Sequence, residues 1–364
     1  MIKKIINILI LLILVSSCVN LKDTQDLQKK LSPYWQNYLQ KDFADNSQIE
    51  VYVATNRLRK NADFGCGDEH FGVDFDKQTN YGICLVKVAK MHEIGNISNE
   101  QNKKNVENFK VVLGNGFDQK NFFSDIKKLN ATPLVFVHGF NVRYNEAVLR
   151  SAQIAYDLKY QGPVILFTWP SGAKDGIIEE ALLNKTYEQN SSNVKSSVVI
   201  FANFLKNLQN NKIKINLAVH SMGHQLVLDA MSQIAQNNPQ SFINEMFLNA
   251  PDYDAQTFKT IAPSLKKLAN HITLYCSQND KAMTASKIFN NNERLGACSN
   301  IEQIDVINVS AIDDSTLGLG HGYYSSKSIL NDMFLTLIGI QPKQRLFIAK
   351  SSDNSNLEGY FLRK

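Results

Sequence analysis

The chain has 364 residues, 44% of them hydrophobic and 20% charged, with a formal net charge of +5. This is ordinary globular composition, enough for one large core or two modest ones. Its lysine pairs, such as Lys127-Lys128 and Lys266-Lys267, stand isolated, so the clustered basic surface of a nucleic-acid binder is absent and no nucleic-acid partner is expected.

The chain opens MIKKIINILILLILVSSC, two lysines followed by an apolar run from Ile5 to Val15 and then small residues. That order is the pattern of a secretory signal, too short for a comfortable membrane span. Val15-Ser16-Ser17-Cys18 resembles the lipobox of bacterial lipoproteins. The resemblance implies a signal peptide over 1–17, lipidation of Cys18, and a protein held on a membrane of the cell envelope by its N-terminal lipid. An uncleaved anchor, or a plain signal peptide with a chance cysteine, is the alternative. Residues 18–48 are polar and moderately amphipathic, with Pro33 as a helix breaker, and are expected to form a tether and one short helix.

A strand is expected at EVYVA (50–54), then a Cys- and Gly-containing loop, a strand at YGICLVKVAK (81–90) and another at FKVVLG (109–114). From residue 131 short apolar runs alternate with helical stretches. PLVFVHG (133–139), PVILFTWP (163–170), KINLAVHS (214–221), MFLNAPD (246–252), HITLYCSQND (271–280) and IDVINVSAI (304–312) are each followed by a helical pattern. This alternation predicts an α/β domain over 49–342, with N-terminal strands in 49–130 and a mostly parallel sheet, covered by helices on both faces, in 131–342. Residues 343–364 read as a tail.

With Cys18 set aside, Cys66, Cys84, Cys276 and Cys298 remain. An exported protein with four cysteines can form two disulfides in three connectivities. The local pairings Cys66–Cys84 and Cys276–Cys298 are expected, since each pair brackets a single excursion between strand-like segments; four free thiols are the alternative. No pair has CxxC spacing, and the chain lacks GxGxxG after a strand, a Walker sequence and HExxH. No metal and no cofactor are expected.

In an open parallel sheet, ligands bind beyond the carboxyl ends of the strands. The residues there include His138-Gly139-Phe140, Trp169, His220-Ser221-Met222-Gly223, Asp252, Asp280 and, after a loop, His321. Serine, acid and histidine come in the order of an α/β-hydrolase triad. The stretches VYVATNR (51–57), YGICLVKVAKMH (81–92), VFVHGFNV (135–142), FTWPS (167–171), VHSMGH (219–224), NAPDYD (249–254), YCSQNDKAMTAS (275–286) and GHGYY (320–324) resemble the DUF900 family of bacterial α/β-hydrolases, a serine esterase/lipase-like branch of the fold.

The resemblance and the strand-end positions together assign roles. Ser221 is the expected nucleophile, against the alternative of a helix N-cap; Val219 stands where the elbow pattern has glycine. His321 is the expected base, between Gly320 and Gly322. Asp280 is the expected acid, with Asp252 one strand earlier as the alternate. The oxyanion donors are expected at the N–H groups of Phe140 and Met222. His138, Gly139, Trp169 and Tyr323 are expected around the substrate, with Phe140 and Tyr324 as further apolar walls. His138 and His220 are expected to make structural hydrogen bonds, and His92, His224 and His271 have no partner in the pattern. Asp252 to His271 leaves room for one helix and no large cap domain, while the polar stretch 171–193 is a candidate flap. The expected activity is ester hydrolysis through an acyl-enzyme on a lipid or small-molecule ester; the alternative is an inactive hydrolase scaffold serving as a binding or structural module.

Overall fold

The computed structural model describes residues 29, 48–89, 92–97, 108–173, 183–299, 301–302, 304–313, 321–350 and 359–363. The leader, Cys18, most of the tether, Gly320 and part of the candidate flap lie outside the described residues.

Three strands open the chain: β1 (Gln48–Arg59), β2 (Phe71–Lys87) and β3 (Lys110–Phe117), with helix α1 (Gln119–Lys128) after them. Then strand and helix alternate: β4 (Leu134–Val137), α2 (Tyr144–Asp157), β5 (Val164–Thr168), α3 (Leu183–Asn210), β6 (Ile215–His220) and α4 (Gly223–Asn237). The series continues with β7 (Ile243–Asn249), α5 (Ala255–Leu265), β8 (Ala269–Cys276), α6 (Lys281–Asn290), β9 (Asp305–Asn308) and α7 (Lys327–Leu337), and closes with the short strands β10 (Ile348–Lys350) and β11 (Tyr360–Leu362).

The eleven strands among the described residues join one sheet in the order β10-β11-β9-β8-β7-β6-β4-β5-β1-β2-β3. From β1 to β11 every neighbouring pair is parallel; only β1–β2, β2–β3 and β10–β11 run antiparallel. β4, β5 and β6 are buried at every residue, as strands with helices on both faces must be. Two apolar clusters result. One gathers α1, α3, α4 and α5 against residues such as Val137, Val219 and Leu248; the other gathers α2 and α7 against residues such as Phe136, Phe247 and Tyr275.

The boundaries depart from expectation in three places. β1 is an inner strand of the parallel set, paired with β5 from Val51–Val164 to Thr55–Thr168, so the N-terminal strands are continuous with the parallel core. The tail re-enters the sheet, with β11 adding beside β9. Helix α3 spans Leu183–Asn210, so residues 183–193 of the expected flap are regular helix, whose polar residues Asn190 and Asn193 are buried hydrogen-bonding groups. Cys66 is bridged to Cys84 and Cys276 to Cys298.

Candidate active site

The site is built at the carboxyl end of β6. Ser221 follows the strand directly, with φ of +52°, a left-handed conformation that non-glycine residues seldom adopt without a surrounding structure that enforces it. Here three backbone contacts enforce it. Ser221 N–H donates to the Asn249 carbonyl at 3.0 Å, and the Ser221 carbonyl accepts the N–H groups of His224 at 3.1 Å and Asp252 at 3.3 Å. The His224 ring adds a fourth, Nδ1–H to the same carbonyl at 2.7 Å. Met222, not Ser221, occupies the N-cap of α4, and no side chain caps it. The serine is held at the elbow by its backbone, leaving its hydroxyl without a hydrogen-bond partner among the described residues.

Glycine and valine at the elbow follow from packing. A Cβ at Gly223 would lie 2.5 Å from the His138 carbonyl, so helix α4 can start this close to β4 only with glycine there. Val219 is fully buried and belongs to the larger apolar cluster, so at that position the sheet has room for a side chain.

Asp280 and His321 meet. One oxygen of the buried Asp280 carboxylate accepts the Met283 N–H at 3.1 Å, capping α6; the other takes the His321 Nδ1–H at 2.8 Å. The acid is thereby fixed from two sides and sets the His321 tautomer, leaving Nε2 as acceptor. That Nε2 is buried and unpartnered; no hydrogen bond joins it to Ser221 in this structure. His220 ties His321 to the elbow: its Nε2–H donates to the His321 carbonyl at 3.3 Å, and the two rings lie 4.9 Å apart. Tyr324 stacks on the His220 ring, the centroids 3.7 Å apart.

Asp252 is engaged elsewhere. It binds Arg294 Nε at 2.7 Å and Nη2 at 2.5 Å, with Ser286 at 2.5 Å and the Tyr187 hydroxyl at 2.9 Å. With its acceptor positions taken by Arg294, Ser286 and Tyr187, it is a structural ion pair under α6, not the partner of His321.

The oxyanion loop lies against the serine. A Cβ on Gly139 would sit 2.7 Å from Ser221 Cβ, so glycine is what allows this approach. Neither Phe140 N–H nor Met222 N–H has a hydrogen-bond partner among the described residues. Both amides are therefore unspent by the protein's own carbonyls, and Met222 lies at the N-terminus of α4, which adds positive potential.

Burial pushes the pKa of His138 and His220 well below the ordinary 6.5, and that of His224 down to about 3. These three imidazoles are neutral, and His321, packed against His220, is the one of the four with a carboxylate hydrogen-bond partner. His92 and His271 also have partners: Asp157 at 2.6 Å for the first, Glu245 and Asp305 at 2.6 and 2.7 Å for the second. The two carboxylates raise His271 to about 9.

Three expected wall residues are buried. Trp169 is fully enclosed, stacks on His138 and donates Nε1–H to the His138 carbonyl at 3.0 Å. His138 is 1% exposed, and Tyr323 is buried with its hydroxyl on the Tyr275 carbonyl at 3.4 Å. These side chains support the strand ends from beneath. The accessible aromatic row runs the other way, from Phe140 to Tyr187 on α3 (centroids 5.6 Å apart) and to Phe289 on α6 (4.5 Å). Two residues important to the site were not assigned from sequence: Tyr187, which gave no signal in a polar helix, and Arg57, whose signal is a guanidinium at the end of an otherwise apolar strand.

A parallel sheet carrying a serine elbow, with an Asp–His pair delivered from the next strand ends, defines an α/β-hydrolase. The family model described as alpha/beta hydrolase of unknown function, DUF900, matches residues 116–340, more than half of the chain. The chain belongs to the DUF900 family. No curated protein and no solved structure matches it.

Proposed function

We propose that this protein is a serine hydrolase that cleaves a carboxylic ester through an acyl-enzyme, tethered to a bacterial envelope membrane by lipid on Cys18. The observation that carries the reading is the Asp280–His321 pair at 2.8 Å, held by His220 to the elbow where Ser221 has φ of +52°. Ser221 Oγ attacks the ester carbonyl and gives its proton to His321 Nε2, while Asp280 stabilises the imidazolium. The N–H groups of Phe140 and Met222 take the negative charge on the carbonyl oxygen. The tetrahedral intermediate collapses, the C–O bond breaks, and the alcohol leaves with the proton from His321. Water, deprotonated by the same nitrogen, then attacks the acyl-serine and releases the acid.

The unmade Ser221–His321 bond favours the other reading, an inactive scaffold used for binding. Catalytic hydrogen bonds in free enzymes are often long and tighten on substrate binding, which supports the active one. A fluorophosphonate probe separates them: the folded wild type is expected to be labelled and Ser221→Ala is not. Folded wild-type protein that takes no label sinks the enzyme reading. The row Phe140–Tyr187–Phe289 supports an uncharged, moderately lipophilic acyl chain.

A further inference from the structure

We propose that Arg57 is a positioning residue for the oxyanion site, acting through Thr168 and His138 on the Gly139–Phe140 peptide; this rests on the hydrolase reading above. Arg57 stands two residues before the end of β1 and is fully buried. Its guanidinium donates to five groups: Thr168 Oγ1 at 2.8 Å, the carbonyls of Gly72 at 3.1 Å, Ser171 at 2.8 Å and Val142 at 2.7 Å, and His138 Nε2 at 3.3 Å. All five are neutral. Among the described residues no carboxylate hydrogen-bonds it, and Asp68, the strongest charge acting on it, is bonded to Arg143 at 2.9 Å. A buried cation without an ion pair is expensive to keep, and merely tying down these carbonyls requires no charge.

The proton positions follow from which atoms can only donate. Arg57 gives Nε–H to Thr168 Oγ1, so the threonine hydroxyl hydrogen is free to go to His138 Nε2, 2.8 Å away. That nitrogen accepts from both Arg57 and Thr168, which puts the imidazole hydrogen on Nδ1. Nδ1–H then donates to the Gly139 carbonyl at 3.0 Å, which lies 3.1 Å from the Ser171 hydroxyl as well. The chain runs Arg57, Thr168, His138, Gly139 C=O without a break.

Its end point gives it a purpose. The Gly139 carbonyl and the Phe140 N–H belong to one peptide unit. Hydrogen bonds in series polarise one another, and a charge at the head strengthens each successive bond. Electron density drawn onto the Gly139 oxygen leaves the Phe140 N–H, the oxyanion donor of the reading above, a stronger donor. The effect is greatest when the acceptor carries full negative charge, so it acts on the transition state more than on bound substrate.

The relay is tested with p-nitrophenyl butyrate on the full-length protein and its Thr168→Val and Thr168→Ser variants. Valine keeps the shape and removes the Thr168 link, leaving His138 only the longer 3.3 Å donation from Arg57 Nη2; serine restores the hydroxyl. Thr168→Val is expected to lower kcat about tenfold with KM within about twofold, less than the loss of a whole oxyanion donor. Its affinity for a butyl trifluoromethyl ketone, which forms a tetrahedral adduct on Ser221, falls by the same factor, and Thr168→Ser recovers both. Thr168→Ala repeats the break if valine prevents folding. An active wild type beside a folded Thr168→Val with unchanged kcat, or with its loss confined to KM, overturns the relay and leaves the hydrolase reading standing. A wild type that neither turns over ester nor takes a fluorophosphonate label removes that reading, and the relay with it.

Discussion

Asp252 and Asp280 follow neighbouring strands, and their partners separate their roles. Asp280→Asn leaves a group that can still cap α6 but no longer fixes the His321 tautomer, so kcat is expected to fall by roughly 10³–10⁴-fold with little change in thermal stability. Asp252→Asn breaks a buried pair with Arg294 and is expected to cost about 3–5 kcal/mol of unfolding free energy. Steady-state kinetics and denaturant unfolding on both variants check the assignment; an Asp252→Asn enzyme that is stable and inactive would reverse it. At this scale the sequence was informative about chemistry and silent about enclosure. Ser221, Asp280 and His321 are legible because a parallel sheet puts strand ends in one place. Trp169 and Tyr323 are misread as walls because an aromatic residue at a strand end looks the same whether it faces a ligand or lies beneath one. Arg57 is visible as an oddity, but its partners come from β2, β5 and the loops after β4 and β5, and only the three-dimensional arrangement names them.

Two helices shape the approach to Ser221. Tyr187 on α3 is pinned by Asp252 and by Asn290 at 3.0 Å, which holds its ring between Phe140 and Phe289. Phe289 is 40% exposed and its neighbour Ile288 78% exposed, so α6 continues the apolar row outward to the surface. If acyl chains lie along this row, Phe289→Ser lowers kcat/KM for p-nitrophenyl octanoate relative to butyrate by roughly tenfold, near the value of one to two buried methylenes. An unchanged octanoate-to-butyrate ratio would place the chain elsewhere. The order of strands and helices is legible from the alternating apolar runs, since that period reflects burial on both faces of the sheet. The early start of α3 is not, because TYEQNSSN has few apolar residues to betray a helix. Its buried asparagines bond to loop carbonyls and hydroxyls from distant parts of the chain, such as Pro170 and Ser171.

Across the molecule, histidines set opposing limits on stability with pH. His138, His220 and His224 are held neutral by burial, with folded pKa values below 6.5. Their contribution is complete above 6.5 and is lost as the pH falls, because the unfolded chain then binds protons that the folded one refuses. His271 is the reverse. Clasped by Glu245 and Asp305 and raised to about 9, it contributes fully below 6.5 and loses that contribution as the pH rises to 9. The two sets of histidines thus act in opposite directions on either side of pH 6.5. His271→Gln is expected to flatten the decline between pH 6.5 and 9, by about 1–2 kcal/mol once solvent screening of the partly exposed cluster is allowed for. Melting temperatures of both proteins across pH 5–10 check it; parallel curves would refute it. No described helix is long and apolar enough to cross a membrane.

The position of β1 bears on where this protein can be cut. The family match begins at residue 116, yet β1 lies inside the sheet between β5 and β2. A fragment trimmed to the matched segment would keep Ser221, Asp280 and His321 and still lose the inner strand β1, with β2, most of β3, β10 and β11. β5 would become a raw edge, its unpaired amides and carbonyls a template for aggregation. Cys66–Cys84 would go as well, and Thr168 would face the gap left by Arg57. The smallest working unit is therefore wider than the segment by which the family is recognised, and deletion series should start upstream of Gln48.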